Sequence, residues 1–382
     1  MKVLLYADFR SPHALGWRAG LKAAGIDVLA ISSEAVDVDE IISPSGSISR
    51  IRQSYVADSV AKTSRSRTLR GWLASQQLTH SAVQVIRARS RRRDLTNAVT
   101  TFQPDLVHAL RLPYEGITAL STIARTSPVP IVVSSWGQDF EPQASSDPLL
   151  RFWLSRHLRH AAGFQFDSTS DLARARRYGL RPSVPTLHAA GNFGVDESLF
   201  HSADPKVDGL VVYARKAVPS CNYLGFIEAS LDLMKTTTAT FVGVGLEHLI
   251  PEVVERYGEF DRDRLRLVGQ LPGNDFAALL RSAQVIVSPS YSDGMPVTVL
   301  GAVASGSRIV AGRLPQLEEL VDQGADIVLV DAHETSEIAA GIAAQLGSGV
   351  SVSATLPEQY SRSANALRVP DFYAQVLAAT DR

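Results

Sequence analysis

The chain holds 382 residues, 45% hydrophobic and 20% charged, which exceeds one compact core and predicts two domains of roughly 150–200 residues each. Its 26 glycines and 19 prolines, the lack of any repeat and a single cysteine, Cys221, exclude fibrous, solenoid, disordered, disulfide-framework and cysteine-metal classes and fit a reducing, cytoplasmic setting. The net charge of −1 conceals a segment, residues 41–93, that carries eleven Lys and Arg against the single acid Asp58, an excess of +10.

In chain order, the N-terminus MKVLLYADFRSP has one Lys ahead of a short apolar run that meets Asp8 at once. That run is too short for a signal-peptide core, and no stretch reaches ~18 apolar residues, so no membrane span is expected. Short apolar runs then alternate with longer amphipathic segments, the βα pattern of a parallel sheet covered on both faces. Strands are predicted at 2–7, 27–31, 104–108, 130–134 and 163–167, and in a second series at 209–214, 239–244, 265–268, 285–288, 308–311 and 327–330. The basic segment 41–93 between the early strands suits anionic lipid headgroups or a phosphorylated acceptor, or is a solvated helix face. Nucleic acid is not expected as a partner, because only Tyr55 and Trp72 offer stacking surfaces and no recognition-helix motif is present. The polar stretch 201–208 marks a hinge, giving domains over 1–203 and 208–366. Residues 371–380, beyond Pro370, read as a helix in a tail, 367–382, that packs back on the first domain. The fold class is therefore α/β, with two Rossmann-like, doubly wound domains facing across a cleft and ligands in the βα loops beyond the strands' carboxyl ends.

The first βα turn, ADFRSPHALG, has no G-x-G-x-x-G and none follows another strand, so a dinucleotide-dependent dehydrogenase is disfavoured; without G-x-x-x-x-G-K-[ST], so is a P-loop nucleotidase. The most informative stretch is 288–306, SPSYSDGMPVTVLGAVASG. A buried strand ends there, a polar loop turns through Gly294, and a helix opens with Pro296 at its first position, where the missing N–H is no loss. The N–H groups around Gly294, Met295, Val297 and Thr298, with the positive helix end, form an anion site suited to a diphosphate. Asp293 beside the turn either accepts hydrogen bonds from sugar hydroxyls or caps the helix, a cap being worth ~1 kcal/mol. Two acidic triplets, Asp37–Val38–Asp39 and Asp261–Arg262–Asp263, spell D-x-D, but neither stands at a predicted strand carboxyl end, and no metal is expected.

The 288–306 stretch resembles the retaining glycosyltransferases of family 4, of the GT-B fold, whose donor signature is written E/D-G-x-P-x4-L-E-A-M-A-x-G. The run Asp293–Gly294–Met295–Pro296 and the later Leu300, Ala302, Val303, Ala304, Ser305 and Gly306 match in register. The resemblance extends to PDLVH (104–108), WGQD (136–139), GVD-x3-F (194–200), ARK-x4-CN (214–222), FVGVG (241–245) and P-x-x-E (315–318). It implies a nucleotide-diphosphate sugar as donor substrate, no further cofactor, and transfer with retention of configuration.

In the family two acids, Glu-x7-Glu, bind the donor, the first near the transferred sugar and the second on the ribose. Here they stand as Asp293 and Gly301. Glycine offers no side chain to a ribose and is disfavoured inside a helix by ~1 kcal/mol relative to Ala. Glu318 is the candidate substitute. Arg215 and Lys216, after the first strand of the second domain, would clamp the diphosphate and stabilise the leaving group without a metal, or are an idle surface pair. His108 ends a strand and faces the reaction centre in the family; the bland reading is a hydrogen-bonded structural histidine. Asp139 is a candidate for holding or deprotonating the acceptor. Arg111, with Ser11, His13 and Trp17, falls on the acceptor side by topology. The expected function is metal-independent, retaining transfer of a sugar to a glycan, lipid-linked or small-metabolite acceptor, with peripheral contact to an anionic membrane through 41–93. Other GT-B nucleotide-sugar chemistry, such as epimerisation, and a non-catalytic sugar-nucleotide-binding subunit are the alternatives that Gly301 leaves open.

Overall fold

The computed structural model describes residues 1–37, 41–42, 77–136, 139–140, 148–349 and 355–380. They form two compact units, Met1–Phe193 with Ala364–Arg382, and Gly194–Ser363. Most of the basic segment 41–93, and with it the expected membrane contact, lies outside the described residues; of its arginines, Arg91 is buried (8% exposed) and does not belong to a solvated face.

In the first unit the strands β1 (Lys2–Ala7), β2 (Asp27–Ser32), β3 (Ile41–Ile42), β4 (Leu106–Ala109), β5 (Ile131–Ser134), β6 (Gly163–Phe166) and β7 (Thr186–His188) form one parallel sheet in the order β3-β2-β1-β4-β5-β6-β7. Its helices are α1 (Pro12–Ala23), α2 (Gln77–Phe102), α3 (Ile117–Thr122), α4 (Pro148–His157) and α5 (Thr169–Arg177). Side chains alternate across a strand, so a doubly covered sheet needs apolar residues at consecutive positions. Leu4 and Tyr6 of β1 enter one core with Val107 and Val133, while Val3, Leu5 and Ala7 enter the other with Leu106 and Val132.

The second unit repeats the design. Strands β8 (Val207–Tyr213), β9 (Thr240–Val244), β10 (Leu265–Val268), β11 (Ala283–Ser288), β12 (Arg308–Gly312) and β13 (Ile327–Val330) pair in parallel in the order β10-β9-β8-β11-β12-β13. Helices α6 (Tyr223–Leu233), α7 (Ile250–Tyr257), α8 (Gly273–Ser282), α9 (Val297–Ala304), α10 (Pro315–Asp322) and α11 (Thr335–Gly347) connect them, and α12 (Arg362–Thr380) closes the chain. Chain order reverses between β1 and β4 in one sheet and between β8 and β11 in the other, which opens a crevice at the carboxyl ends of each pair.

Three expectations change. The boundary falls after Phe193 rather than within 201–208, because the intervening segment is tied into the second unit. Val195 N–H donates to the Tyr360 carbonyl (2.7 Å), Asp196 pairs with Arg362 (2.7 Å), and Arg281 binds both Asp204 (2.6 Å) and the Leu199 carbonyl (2.7 Å). Lys206 Nζ donates to the Arg281 and Ser305 carbonyls (2.7 Å each) and to Ser307 Oγ (2.9 Å), and burial lowers its pKa to about 8. The last helix begins at Arg362, not after Pro370, which stands inside it. A helix-interior proline loses a hydrogen bond, but Val369, Phe372, Tyr373 and Val376 bury themselves in the first unit's core and hold the turn. Gly163 makes room for that helix: a Cβ there would lie 2.7 Å from Val376 Cγ2. Finally, Trp17 is fully buried core, not an acceptor-side residue; its Nε1 donates to the Gly191 carbonyl (3.0 Å) and its ring meets Phe193 edge-on (5.0 Å).

The same core encloses His108. It is fully buried, with Nδ1 2.7 Å from Tyr373 Oη and Nε2 2.7 Å from Ser134 Oγ, and Trp17 stands edge-on at 4.8 Å. Burial lowers its pKa to about 3, so the ring is neutral, with one N–H and one lone pair, and both are used. The geometry matches the structural reading of this strand-end histidine and leaves no ring atom for a substrate. Tyr373→Phe strands one buried ring nitrogen and should lower stability by ~1–3 kcal/mol, read as a fall in thermal midpoint with nucleotide affinity unchanged.

Candidate active site

At the β8/β11 crevice of the second unit, Arg215 lies just beyond β8 and Asp293 in the loop after β11, and the two form a close ion pair between Nη2 and Oδ2, their side chains 14% and 16% exposed. The opposite carboxylate oxygen, Oδ1, accepts the Gly294 N–H (2.9 Å). The expected roles of Arg215 and Asp293 are thus merged, since each holds the other. Arg215 Nε is buried with no acceptor among the described residues. Lys216 is exposed. Around them the loops lock together: Tyr291 N–H donates to the Ser220 carbonyl (2.9 Å), Thr298 Oγ1 donates to the Ala214 carbonyl (3.2 Å), and Tyr213 Oη donates to the Lys216 carbonyl (3.0 Å). Met295 is buried.

The helix α9 starts one residue later than expected, with Pro296 as its N-cap and Val297 first. The Pro296 carbonyl accepts from Val299 and Leu300 (2.9 and 3.1 Å), while the N–H groups of Val297 and Thr298 have no acceptor among the described residues. Two such donors at the start of α9, in the loop that Asp293 ties to Arg215, make an anion-binding edge.

Glu318 does not approach this group. It is exposed on α10 and faces Arg313 (3.7 Å). The residue that reaches in from α10 is Gln316, which the sequence reading missed; its Nε2 donates to the carbonyls of Asp293 (2.8 Å) and Gly294 (3.1 Å) and fixes the turn. The buried hydroxyls of Ser288 and Ser290, also missed, have no partner among the described residues. Asn222 caps α6 through the Gly225 N–H (3.0 Å), and Cys221 beside it is buried. Asp261 of the second D-x-D accepts the N–H groups of Asp263 and Arg264 (2.9 and 3.3 Å), an Asx turn; of the first triplet only Asp37 is among the described residues.

Gly301 is buried on α9, and a Cβ there would meet the Phe200 ring at 3.2 Å. The glycine therefore admits an aromatic side chain from the 194–200 segment. In a Phe200→Ala background, Gly301→Ala should add ~0.8 kcal/mol of stability through helix propensity. In the intact chain the new methyl presses on the ring and that gain shrinks or reverses. A denaturation double-mutant cycle should give a coupling above ~0.5 kcal/mol; none would mean that the ring does not fill this space.

In the first unit the carboxyl edge carries a second Arg–Asp pair. Arg111 follows β4 with a left-handed backbone (φ 76°), opening a π-helical turn over Arg111–Gly116. Such a φ costs a side-chain-bearing residue of order 1 kcal/mol and is held by its surroundings. Asp139 supplies the hold. It is wholly buried and accepts the N–H groups of Leu112 (3.2 Å) and Trp136 (3.0 Å), with Arg111 Nε and Nη2 both 3.4 Å away. Burial raises its pKa to about 6, against the pull of Arg111 and the two N–H groups. Enclosed in this way, Asp139 orients Arg111 and does not itself reach an acceptor. The Arg111 side chain is 32% exposed, and its guanidinium lies over Tyr114 (4.5 Å) and Trp136 (5.8 Å). Trp136 Nε1 is buried without an acceptor among the described residues, and the His13 ring lies tilted against the same ring (5.1 Å). Ser11 caps α1 by accepting the His13 N–H (3.3 Å).

Residues 210–348 match the family model described as glycosyl transferases group 1, and residues 2–168 match the one described as glycosyl transferase 4-like. Together the two models span most of the chain, one on each unit, and by them the chain belongs to the glycosyl transferases. It is 31% identical over 78 residues to the D-inositol 3-phosphate glycosyltransferase of Corynebacterium kroppenstedtii, a match covering 20% of this chain and 17% of that protein. Sucrose-phosphate synthase from Thermosynechococcus elongatus superposes with a TM-score of 0.71 at 15% identity, over 99% of this chain and 100% of that one. HepE of Anabaena in complex with UDP gives 0.63 at 13% identity, over 98% and 100%. At these identities the structural likeness shows the fold, two Rossmann-like domains of the GT-B type. Among the described residues no three His, Cys, Asp or Glu side chains cluster as a metal site would require, and no helix is long and apolar enough to cross a membrane.

Proposed function

We propose that the chain transfers a sugar, with retention, from a nucleoside-diphosphate sugar to an acceptor hydroxyl. The observation that carries this reading is the β8/β11 edge: Arg215 fixed by Asp293 on one side, and the N–H groups of Val297 and Thr298, without an acceptor among the described residues, on the other. These donors match the oxygens of a diphosphate and bear on the charge that grows as it leaves. The UDP complex of HepE supports a uridine nucleotide as the first donor to try. In the step proposed, the acceptor oxygen bonds to the anomeric carbon on the face from which the phosphate oxygen departs, and the acceptor proton passes to that departing oxygen. Arg215, Lys216 and the N-terminus of α9 supply the neutralisation, so a chelator should leave the rate unchanged.

On the acceptor side Arg111, held by Asp139 and flanked by Tyr114 and Trp136, is suited to an anionic or polyhydroxylated acceptor, and the inositol-phosphate named for the curated relatives is of that class. Calorimetry with UDP and UDP-glucose tests the donor half. Arg215→Ala should weaken UDP binding at least about tenfold, the size of one charge-assisted contact; equal affinity would remove Arg215 from the site. The acceptor half has a pH signature. With Asp139 raised to about 6, its carboxylate anchors Arg111 above that pH and loses its charge below it. The acceptor KM should therefore rise as pH falls through 6 while donor affinity holds, and Asp139→Asn should flatten the profile at the high KM.

A further inference from the structure

The first unit carries a basic cavity at the amino-terminal edge of its sheet, the end opposite the carboxyl edge that carries Arg111 and Asp139. It lies among the segments that run into β5, β6 and β7, and four-residue strands separate it from the carboxyl edge by roughly 13 Å. The cavity holds about 110 Å³ and is lined by Arg125, Arg156, His157, Arg159 and His160 together with Leu120 and Ala124.

Its electrostatics are one-sided. Arg125, Arg156, Arg159 and Arg181 make no ion pair with a carboxylate among the described residues. Burial first, and then these arginines, lower the pKa of His160; burial with Arg125, Arg156 and Arg159 holds His157 at about 4. Two helix carboxyl ends converge here, α3 through its 3-10 extension Ile123–Arg125 and α4 through Leu158–His160. Each supplies roughly half a negative charge, so the three lining guanidinium groups leave a surplus of about two. Capping of helix ends accounts for only part of the cluster.

His157 decides what the surplus is for. It is 7% exposed, its ring rests against Trp153 (5.6 Å), and neither ring nitrogen has a hydrogen-bond partner among the described residues. This ring lines a cationic cavity without an acceptor among the described residues, and an anion with several acceptor oxygens would serve it and the arginines together. We propose that this cavity binds a phosphoryl group, carried either by a soluble phosphate ester or by the headgroup of an anionic lipid. Arginine suits such a group through its forked donors. Phe152, 59% exposed one helical turn before Arg156, offers the lipid source an apolar anchor beside the charge.

The test uses the full chain. The His157 C2 proton, assigned with His157→Gln, is followed by NMR across pH with and without inorganic phosphate at constant ionic strength. Phosphate should raise its pKa by about one unit or more, and Arg156→Glu with Arg159→Glu should abolish that response. In parallel, flotation compares phosphatidylglycerol with phosphatidylcholine vesicles. Selective retention on phosphatidylglycerol, reduced at least about tenfold by the same double substitution and lowered by Phe152→Ser, assigns the lipid source. A phosphate response without retention assigns a soluble ester. No change of the His157 titration in phosphate together with no selective retention overturns the proposal. Both readings are made first on the unaltered chain, and Arg125→Gln, at an exposed position, is the milder second variant should the charge reversals not fold.

Discussion

A wholly parallel sheet sends every strand-to-helix turn out at one edge, and in both units that constraint decides which polar residues can work. The central strands are packed with apolar side chains on both faces, so no charged side chain stands inside β1, β4, β5 or β11, and charge gathers beyond the strand ends. Each unit then solves the same problem with an arginine beyond one strand and an aspartate beyond its neighbour: Arg215 and Asp293 after β8 and β11, Arg111 and Asp139 after β4 and β5. The two pairs differ in burial. Asp139 is fully enclosed and spends both oxygens on backbone N–H groups and Arg111, whereas Asp293 is 16% exposed at the edge of an unfilled donor set. The first is a support for its arginine; the second stays within reach of whatever binds beside it.

What the sequence revealed follows the same physics. Strands buried on both faces are continuous apolar runs, so nearly all were legible, with ends misplaced by one or two residues. The exceptions, Ile41–Ile42 and Thr186–His188, are edge strands of two and three residues, too short to show a period. The hinge was set by polarity at 201–208, but polarity does not report which unit a polar segment is bonded to; Arg281 and Lys206 do, through carbonyls far along the chain. Pro370 suggested a helix start because its local penalty is well defined, and burial of four side chains in the first unit outweighed it.

Strand-end positions of the site residues were legible, but their partners were not. Nothing in the sequence pairs His108 with Tyr373, 265 residues away, so a histidine at a strand end read equally as reactive or packed. Trp17 is different, because the signal was present. Ala14, Trp17 and Leu21 fall at helical spacing on one face of α1, and all three are buried. Placement by topology outweighed periodicity there, and periodicity was the better guide. Gln316 was overlooked for the opposite reason: it sits two positions before the acid that drew the eye, on the helix face that turns toward the loop.

Gly301 shows how one departure from a pattern takes its meaning from the space around it. A glycine in place of an acid suggests decay when only the helix is considered, since it weakens α9 and removes an acceptor. A position that had merely lost its side chain would leave a void, and voids in packed interiors are themselves costly. Here the Phe200 ring stands 3.2 Å from where a Cβ would be. That ring is not an accidental occupant, because its segment is fastened to the second unit on either side, through Arg281 to the Leu199 carbonyl and to Asp204. Glycine and phenylalanine are therefore one packing unit, and the helix penalty is offset by the contact. Restoring a carboxylate at 301 without moving the ring would replace that contact with a clash. Under the function proposed, a nucleoside lying along α9 would meet an aromatic edge and backbone at this point, and its recognition would rest on the diphosphate donors one turn earlier.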